Sequence, residues 1–252
     1  MPAEMGCAET MPNKQDVYRS IWKPKLEREG AEGPYRGGNL RVDLAVSQLP
    51  PGERLLDVGC GSGTLGGVLL AEGRYAEVHG LEISGEAVER ARERGVRAQV
   101  FNLNRGPFPH PDGSFDAVTC LAVIEHVLDP RPVLDEIARV LKPRGLLVLD
   151  TPNIRYLKHL WSLLARGRFP VTSGDDEDRR LAYDGGHMHY FTHRDIAALL
   201  RERGLRVVHS PCVLAPRLRA GALGGAAGIL CRLPVFDELL SAEIFVVARK
   251  VG

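Results

Sequence analysis

The chain has 252 residues, of which 44% are apolar and 26% charged, a composition typical of an ordinary globular protein. This length accommodates one large domain, with or without a covering segment. The formal net charge of +1 argues against a nucleic-acid-binding surface. The polar first sixteen residues do not resemble a secretory signal, so we expect a cytoplasmic protein.

Cysteine usage agrees with that expectation. The five cysteines are odd in number, scattered, and contain no C-x-x-C pair. This spacing predicts reduced thiols rather than a disulfide framework or a zinc site. The longest uncharged stretch near the end of the chain, 220–231, is shorter than the roughly 20 residues that a membrane helix needs, so we expect no stable membrane insertion.

The beginning of the chain is predicted to cover the domain rather than to form its core. Residues 1–16 have the polar composition of a disordered tail. Apolar residues then recur at helical spacing, and a further helix is predicted from Asn39 to Leu49. Residues 17–50 are therefore predicted cap helices of a single domain, 17–252. They either cover a ligand or close the edge of a sheet.

Strands and helices alternate through the middle of the chain. Ser84 and Asp129 are predicted helix N-caps, and Gly95 ends the helix that Ser84 begins. The predicted strands are 54–59, 77–83, 98–102, 115–121 and 145–151. This alternation predicts an α/β fold with a doubly wound, mostly parallel sheet, whose ligand lies beyond the carboxyl ends of the strands.

The remainder of the chain adds an insertion and two strands. The segment 152–190 is longer than an ordinary connection and is predicted to be a lid-like insertion. Thr192 and Asp195 then predict a capped helix. Strands at 206–212 and 243–250 complete a seven-stranded sheet.

A glycine-rich turn is the most informative stretch of the sequence. The strand that contains Asp57 runs into Gly59, Cys60, Gly61 and Gly63, and a helix follows. Glycines lack β-carbons and tolerate positive φ angles, so a ligand can lie directly on the main chain. The N–H groups of the following helix can hold a carboxylate or phosphate. An ordinary tight turn, the alternative, needs fewer glycines.

The turn and a later segment together resemble a known enzyme family. The pattern LDVGCGSG of the turn is similar to motif I of the class I S-adenosylmethionine (SAM)-dependent methyltransferases. The sequences FDAV, LAVIEHV, DP and RVLKPRG within 115–145 resemble later motifs of the ubiquinone O-methyltransferase and methionine-biosynthesis-protein-W-like branches. The resemblance covers about residues 40–153. It implies a Rossmann-like sheet of order 3-2-1-4-5-7-6 with an antiparallel last strand, SAM as cofactor, and S-adenosyl-L-homocysteine as product.

Candidate cofactor-binding residues lie at the predicted strand ends. Glu82, at the end of the second strand, is placed to accept hydrogen bonds from two vicinal ribose hydroxyls. The family usually has an acid after the third strand to bind adenine, where this chain has Asn102 followed by the backbone of Leu103. Arg41 corresponds roughly to an arginine that reaches the SAM carboxylate. The resemblance also implies cofactor contacts for Asp57, Gly59, Cys60, Gly61, Gly63, Ile83, Leu121 and Ala122.

Three histidines are the candidate catalytic residues. His126 follows the fourth strand and could orient or deprotonate an acceptor, or be structural. His187 and His189 lie in GHMHYFT, which resembles a segment of bacterial methyltransferases that act on small metabolites or cell-surface sugars. They could act as base and hydrogen-bond partner, or fix the insertion against the sheet. A metal would need further ligands, of which Asp184 is the obvious one, so no metal site is predicted.

Together these features predict a SAM-dependent methyltransferase that acts on an oxygen or nitrogen of a small-molecule acceptor, such as a metabolite, natural product or sugar. Two alternatives stay open. A SAM-binding accessory protein would bind cofactor without turnover. An NAD-dependent dehydrogenase would share the sheet and Glu82, although its fingerprint G-x-G-x-x-G fails at Thr64. The glycines at 221–228 suit a homodimer face, a membrane contact or a simple insertion.

Overall fold

The computed structural model describes residues 38–172, 184, 186–214 and 234–252. Within them the helices are α1 (Leu40–Gln48), α2 (Thr64–Ala71), α3 (Gly85–Glu93), α4 (Pro130–Val140), α5 (Leu157–Arg166), α6 (His193–Arg201) and α7 (Pro234–Leu240). The strands are β1 (Gly52–Val58), β2 (Tyr75–Glu82), β3 (Arg97–Val100), β4 (Phe115–Leu121), β5 (Leu141–Pro152), β6 (Leu205–His209), β7 (Val213–Leu214) and β8 (Ser241–Lys250). The predicted tail 1–16, the cap region before residue 38, the part 173–183 of the predicted insertion and the glycines at 221–228 lie outside the described residues.

The strands form one mixed sheet. Its order is β3-β2-β1-β4-β5-β8-β6, and the short β7 pairs with β8. Strands β1 to β5 are parallel, whereas β8 is antiparallel to both β5 and β6. The predicted α/β Rossmann-like sheet and its strand order are confirmed. The predicted seventh strand corresponds to β8, and the two-residue strand β7 was not predicted. The fifth strand begins earlier than predicted because Leu141 already pairs with Phe115.

Local capping chemistry sets the helix starts. The side chains of Ser84 and Asp129 each accept an N–H from the first turn of α3 and α4. Thr192 and Asp195 form a reciprocal capping box at the start of α6. These contacts satisfy backbone donors that have no partner inside the helix. They therefore fix where each helix begins relative to the preceding strand end.

The sheet is buried on both faces, as parallel strands require. On β5, Leu147 packs into one apolar cluster and the next residue, Val148, into the other. Helices α4 and α6 cover the first face through Leu134 and Ile196, and α1 covers the second through Ala45. With both faces covered, polar side chains can gather at the strand ends.

The cysteines differ in part from the expectation. Cys60 and Cys120 are free and buried. Cys212 is disulfide-bonded, so the prediction of reduced thiols throughout is wrong there. Disulfide formation depends on the separation of two residues in space, which scattered sequence positions do not reveal. No helix among the described residues is long and apolar enough to cross a bilayer.

Helices α2 and α3 approach closely at Gly63, the N-cap of α2. Its φ of +77° is a left-handed value that side chains disfavour. A β-carbon at this position would lie 2.7 Å from the Cα of Ala91 in α3. Glycine is therefore required here both by the backbone angle and by the neighbouring main chain.

We expect Gly63→Ala to lower the free energy of unfolding by about 2–4 kcal/mol, because it adds overpacking to the cost of a left-handed φ. Gly73→Ala is the matched control, since Gly73 has a φ of +63° but nothing lies within 4 Å of the added β-carbon. The control should lose about 1 kcal/mol. Urea unfolding measures both variants, and equal losses would contradict the close contact.

Candidate active site

The glycine turn lies between β1 and α2 and has a left-handed backbone. Gly59, Gly61 and Gly63 have φ angles of +73°, +52° and +77°. A β-carbon on Gly59 would collide with the side chain of Val123. The N–H of Gly59 donates to the Leu81 carbonyl at 2.7 Å, which fixes the turn to the end of β2. The glycines of the turn thus present main chain rather than side chains, so a ligand can lie directly against the backbone.

Glu82 joins the glycine turn to the start of α3. Its Oε2 accepts the N–H of Gly61 at 3.1 Å, and its Oε1 accepts the N–H of Ser84 at 2.9 Å. The residue is only 5% exposed, so the carboxylate is held in one place. Each carboxylate oxygen can accept a further hydrogen bond, so vicinal ribose hydroxyls fit this position. The predicted glycine turn and Glu82 are therefore in direct contact.

Asp57 and Cys60 support the turn from within the sheet. Asp57 Oδ1 accepts a hydrogen bond of 2.7 Å from the Thr119 hydroxyl on β4. Burial raises the pKa of Asp57 to about 7. The Cys60 thiol packs over Gly80, where a β-carbon would lie 2.5 Å from its Sγ. Since the thiol points into the sheet, a contact between Cys60 and a cofactor would have to use its main chain.

The predicted adenine end lies after β3. Asn102 Oδ1 accepts the N–H of Asn104 at 3.0 Å, so its amide oxygen already shapes the loop. Leu103 is half-buried and packs against the core. Ile83, at the end of β2, is also half-buried. These positions surround the same strand ends as Glu82, and their contacts with a cofactor stay predictions.

The end of β4 carries an unusual backbone angle. Ala122 has a φ of +53°, a left-handed value in a residue with a β-carbon. Its N–H donates to the Asp150 carbonyl on β5 at 2.9 Å. Leu121, just before it, is half-buried. The chain thus turns sharply away from the sheet at the point where the family resemblance implies cofactor contact.

Arg41 lies at the ends of β5 and β8 rather than at the glycine turn. Its Nε donates to the carboxylate of Asp150, and its Nη2 is 3.8 Å from Glu243 Oε1. Burial raises the pKa of Asp150, although the positive charge of Arg41 lowers it in part. Burial and the negative charge of Asp150 raise the pKa of Glu243 to about 8. These three residues line a cavity of about 220 Å³. Binding of a cofactor carboxylate by Arg41 therefore stays a prediction.

Glu125 and His126, which follow β4 in the chain, form a cluster in space with His187 of the insertion. The rings of the two histidines are 4.6 Å apart, and one potential ligand atom from each of the three residues lies within 4.8 Å of the others. Glu125 Oε2 accepts from Thr151 at 3.0 Å, whereas its buried Oε1 has no hydrogen-bond partner among the described residues. Burial raises the pKa of Glu125 to about 7. These donors could hold a metal ion, and they differ from the His187, His189 and Asp184 set considered from sequence.

His189 holds its segment against the loop after β4. Its Nε2 lies 3.0 Å from the Val127 carbonyl and 3.2 Å from the Leu128 carbonyl, so it serves as a donor. The N–H of Met188 donates to the Glu125 carbonyl at 2.7 Å. A nitrogen that donates to carbonyls cannot accept a proton at the same time. The two carbonyl contacts support the interpretation that His189 fixes the insertion, and they leave Nδ1 as the unprotonated nitrogen of the neutral ring.

Several groups in this region were not singled out from sequence as site residues. They are Glu125, Asp150, Thr172 and Glu243, and Asp184 was named only as a possible metal ligand. Glu125 precedes His126 in the motif LAVIEHV, and an acid inside an apolar run is a usable sign of a buried functional group. Asp150 and Glu243 come together because β8 pairs with β5, and Thr172 and Asp184 lie in the insertion. Sequence periodicity does not reveal either arrangement.

A family comparison and curated relatives agree with this geometry. The family model described as a methyltransferase domain matches residues 35–210. A ubiquinone biosynthesis O-methyltransferase of Xylella fastidiosa is 31% identical over 198 residues, which cover 74% of this chain and 73% of the relative. One from Xanthomonas oryzae is 36% identical over 145 residues, covering 55% of this chain and 60% of that protein. This chain thus spans less than two thirds of the Xanthomonas protein.

A solved structure shows the same fold. A chain from the complex between the Haloferax volcanii Trm112 methyltransferase activator and its methyltransferase partner has a TM-score of 0.63 and 18% identity. The match covers 96% of this chain and all of the other. The family match extends over most of the chain and includes the glycine turn and Glu82. The chain therefore belongs to the methyltransferase-domain family of class I SAM-dependent methyltransferases.

Proposed function

We propose that this protein transfers the methyl group of SAM to an oxygen of a small-molecule acceptor, with nitrogen as the other acceptor atom. The observation that carries the proposal is the buried Glu82 carboxylate, which is hydrogen-bonded to the N–H groups of Gly61 and Ser84. It supplies a fixed acceptor for ribose hydroxyls beside a turn in which three of five residues are glycine. SAM supplies a methyl group on a sulfonium, which is already activated for transfer.

The protein's own residues have to position the reactants and exclude water. The glycine turn would hold the amino-acid end of the cofactor through its main chain, and Glu82 would hold the ribose. Asn102 and Leu103 would contact the adenine, although Asn102 lacks the charge that is usual in the family. Leu121, with the other strand-end positions, would line the pocket beside the methyl group.

The names of the relatives and the titratable groups of the site favour a small-molecule acceptor with a hydroxyl group. The curated relatives are named ubiquinone biosynthesis O-methyltransferases, which favours oxygen over nitrogen. The cluster of Glu125, His126 and His187 lies at the same edge of the sheet and can receive a proton. The cavity beside Arg41 and Asp150 adds polar space at that edge. We also retain the expectation of a cytoplasmic protein without a nucleic-acid partner.

A SAM-binding accessory protein is the alternative that remains. It would use the same turn and Glu82, so cofactor binding cannot separate it from an enzyme. The titratable cluster after β4, at the same edge of the sheet as the glycine turn, favours the enzyme, because an accessory protein has no need of proton acceptors there. Membership of the methyltransferase family removes the support for a dinucleotide-dependent dehydrogenase.

We expect Glu82→Gln to weaken SAM binding by about 10- to 100-fold, because the amide loses the charge and turns a donor toward an existing N–H. Isothermal titration calorimetry with SAM and its demethylated product measures the effect. Glu89→Gln is the control, since Glu89 lies on α3 with its side chain 69% exposed. Equal affinities in all three proteins would contradict the role of Glu82.

We expect methyl transfer from isotopically labelled SAM to simple phenols and catechols, and less or none to matched anilines. The described residues of the site provide proton acceptors but no evident group that selects a neutral amine. Mass spectrometry of the acceptors measures the incorporated label, and heat-denatured protein is the control. Tight SAM binding without turnover of a broad hydroxyl and amine panel would favour the accessory role instead.

A further inference from the structure

Helix α5 presents apolar side chains to solvent instead of packing them against the sheet. Leu157, Trp161 and Leu164 recur at helical spacing, so they lie along one side of the helix. They are 53%, 61% and 82% exposed. An amphipathic helix of a globular protein normally turns such a side toward the core. The orientation of α5 is therefore the reverse of the usual one.

The opposite side of α5 attaches the helix to the domain through polar contacts. His159 is the buried residue of α5, and it lies about 200° around the helix from Leu157. His159 Nδ1 is 2.9 Å from the Asn153 carbonyl. The Asn153 side chain in turn donates to the carbonyls of Glu238 and Ser241, at 2.7 and 2.9 Å, where α7 meets β8. These hydrogen bonds hold the apolar side of α5 outward.

A fixed turn adds cations and another aromatic ring at the end of α5. Gly167 ends the helix with a φ of +59°, and the Arg168 N–H donates to the Ser162 carbonyl at 3.1 Å. The Ser162 hydroxyl donates back to the Arg168 carbonyl, also at 3.1 Å. Arg166, Arg168 and Phe169 are all exposed. The turn therefore places two guanidinium groups and a phenyl ring beside the apolar side of the helix.

The charges of this segment have one sign. Residues 154–174 contain four lysines and arginines and no aspartate or glutamate. Exposed leucines, a tryptophan and cations on one short helix are the features of a helix that lies in the headgroup region of a bilayer. Each cation near such a surface adds attraction to anionic lipid. The composition of the segment therefore suits a negatively charged membrane.

The size of the exposed surface disfavours a protein partner. With 10 residues, α5 is about 15 Å long. A stable protein interface buries roughly 800 Å² on each partner, far more than one side of so short a helix offers. A bilayer needs no complementary shape, because it takes up apolar side chains individually. Lipid therefore fits this surface better than a second copy of the chain does.

We propose that α5 and the turn after it bind reversibly to the surface of a membrane that contains anionic phospholipids. Leu157, Trp161 and Leu164 enter the boundary between headgroups and acyl chains, and Arg166 and Arg168 contact the phosphates. The helix lies on the bilayer and does not cross it, since 10 residues are too few to span the hydrocarbon core. This binding goes beyond the proposed methyl transfer and does not depend on it.

Flotation of the full chain with lipid vesicles tests the binding. We expect binding to phosphatidylcholine vesicles that contain about one third phosphatidylglycerol, and little binding to phosphatidylcholine alone. Leu157→Ser with Leu164→Ser should weaken binding at least about tenfold, because two leucines no longer enter the bilayer. Val208→Ser with Val251→Ser is the control, since these valines are 46% and 60% exposed elsewhere on the surface. Circular dichroism checks that each variant folds. No binding to the anionic vesicles, or equal losses in the two double variants, would overturn the proposal.

A second pair of variants tests the electrostatic attraction. Arg166→Gln with Arg168→Gln should weaken binding to the anionic vesicles by about tenfold or more. Arg90→Gln with Arg201→Gln removes the same charge from exposed positions on α3 and α6 and should have little effect. The acidic run 175–178 follows this segment outside the described residues, so the two arginines are tested directly. Equal effects of the two pairs, or equal binding to neutral vesicles, would overturn the proposal.

Tryptophan fluorescence shows whether α5 itself makes the contact. The sequence has two tryptophans, so Trp22→Phe leaves the emission of Trp161 alone. This emission should be that of a solvent-exposed indole in dilute protein and should shift to shorter wavelength when anionic vesicles are added. Short-wavelength emission shielded from acrylamide without lipid would show that the helix is already covered. Sedimentation over a range of protein concentrations would then assign the cover to a second copy or to another segment of this chain, and either result would overturn the proposal.

Discussion

The turn after β1 depends on a backbone that only glycine adopts readily. Three left-handed φ angles occur within five residues, and the packing of Val123 and Ala91 leaves no space for β-carbons at Gly59 and Gly63. Glu82 then fixes the middle of the turn by accepting the Gly61 N–H. Because parallel strands end at one edge of the sheet, this single constraint brings the ends of β1, β2 and β4 into one site.

Buried carboxyl groups are the second common feature of that edge. Asp57, Glu125 and Glu243 all have pKa values raised mainly by burial, to about 7, 7 and 8. Asp150 shares the same environment, with Arg41 as its cationic neighbour. Asp57, Glu125 and Glu243 can therefore gain or lose protons near neutral pH. A cationic ligand bound nearby would favour their ionised forms, so its binding would release protons.

The sequence was sufficient where local chemistry determines structure. The mostly parallel sheet, the cap at Ser84 and the placement of Glu82 beside the turn follow from apolar runs, capping residues and glycine spacing. The strand order was implied by the family resemblance. Contacts between distant segments were not predictable in this way. The Arg41–Asp150 pair depends on how α1 packs against the end of β5, and the Thr172–His187 contact depends on how the insertion folds back on itself. The donor role of His189 likewise depends on backbone carbonyls that no side-chain pattern marks.

The left-handed backbone angle of Ala122 affects both the stability and the rigidity of the site. An alanine at a φ of +53° costs free energy that glycine would avoid, on the order of 1 kcal/mol. Retaining a side chain there narrows the range of conformations open to the end of β4. The hydrogen bond from its N–H to Asp150 then keeps β4 and β5 aligned where the chain leaves the sheet. Substitution by glycine would relieve the local strain and also loosen this junction, so greater stability and a less rigid site would arise from one and the same change.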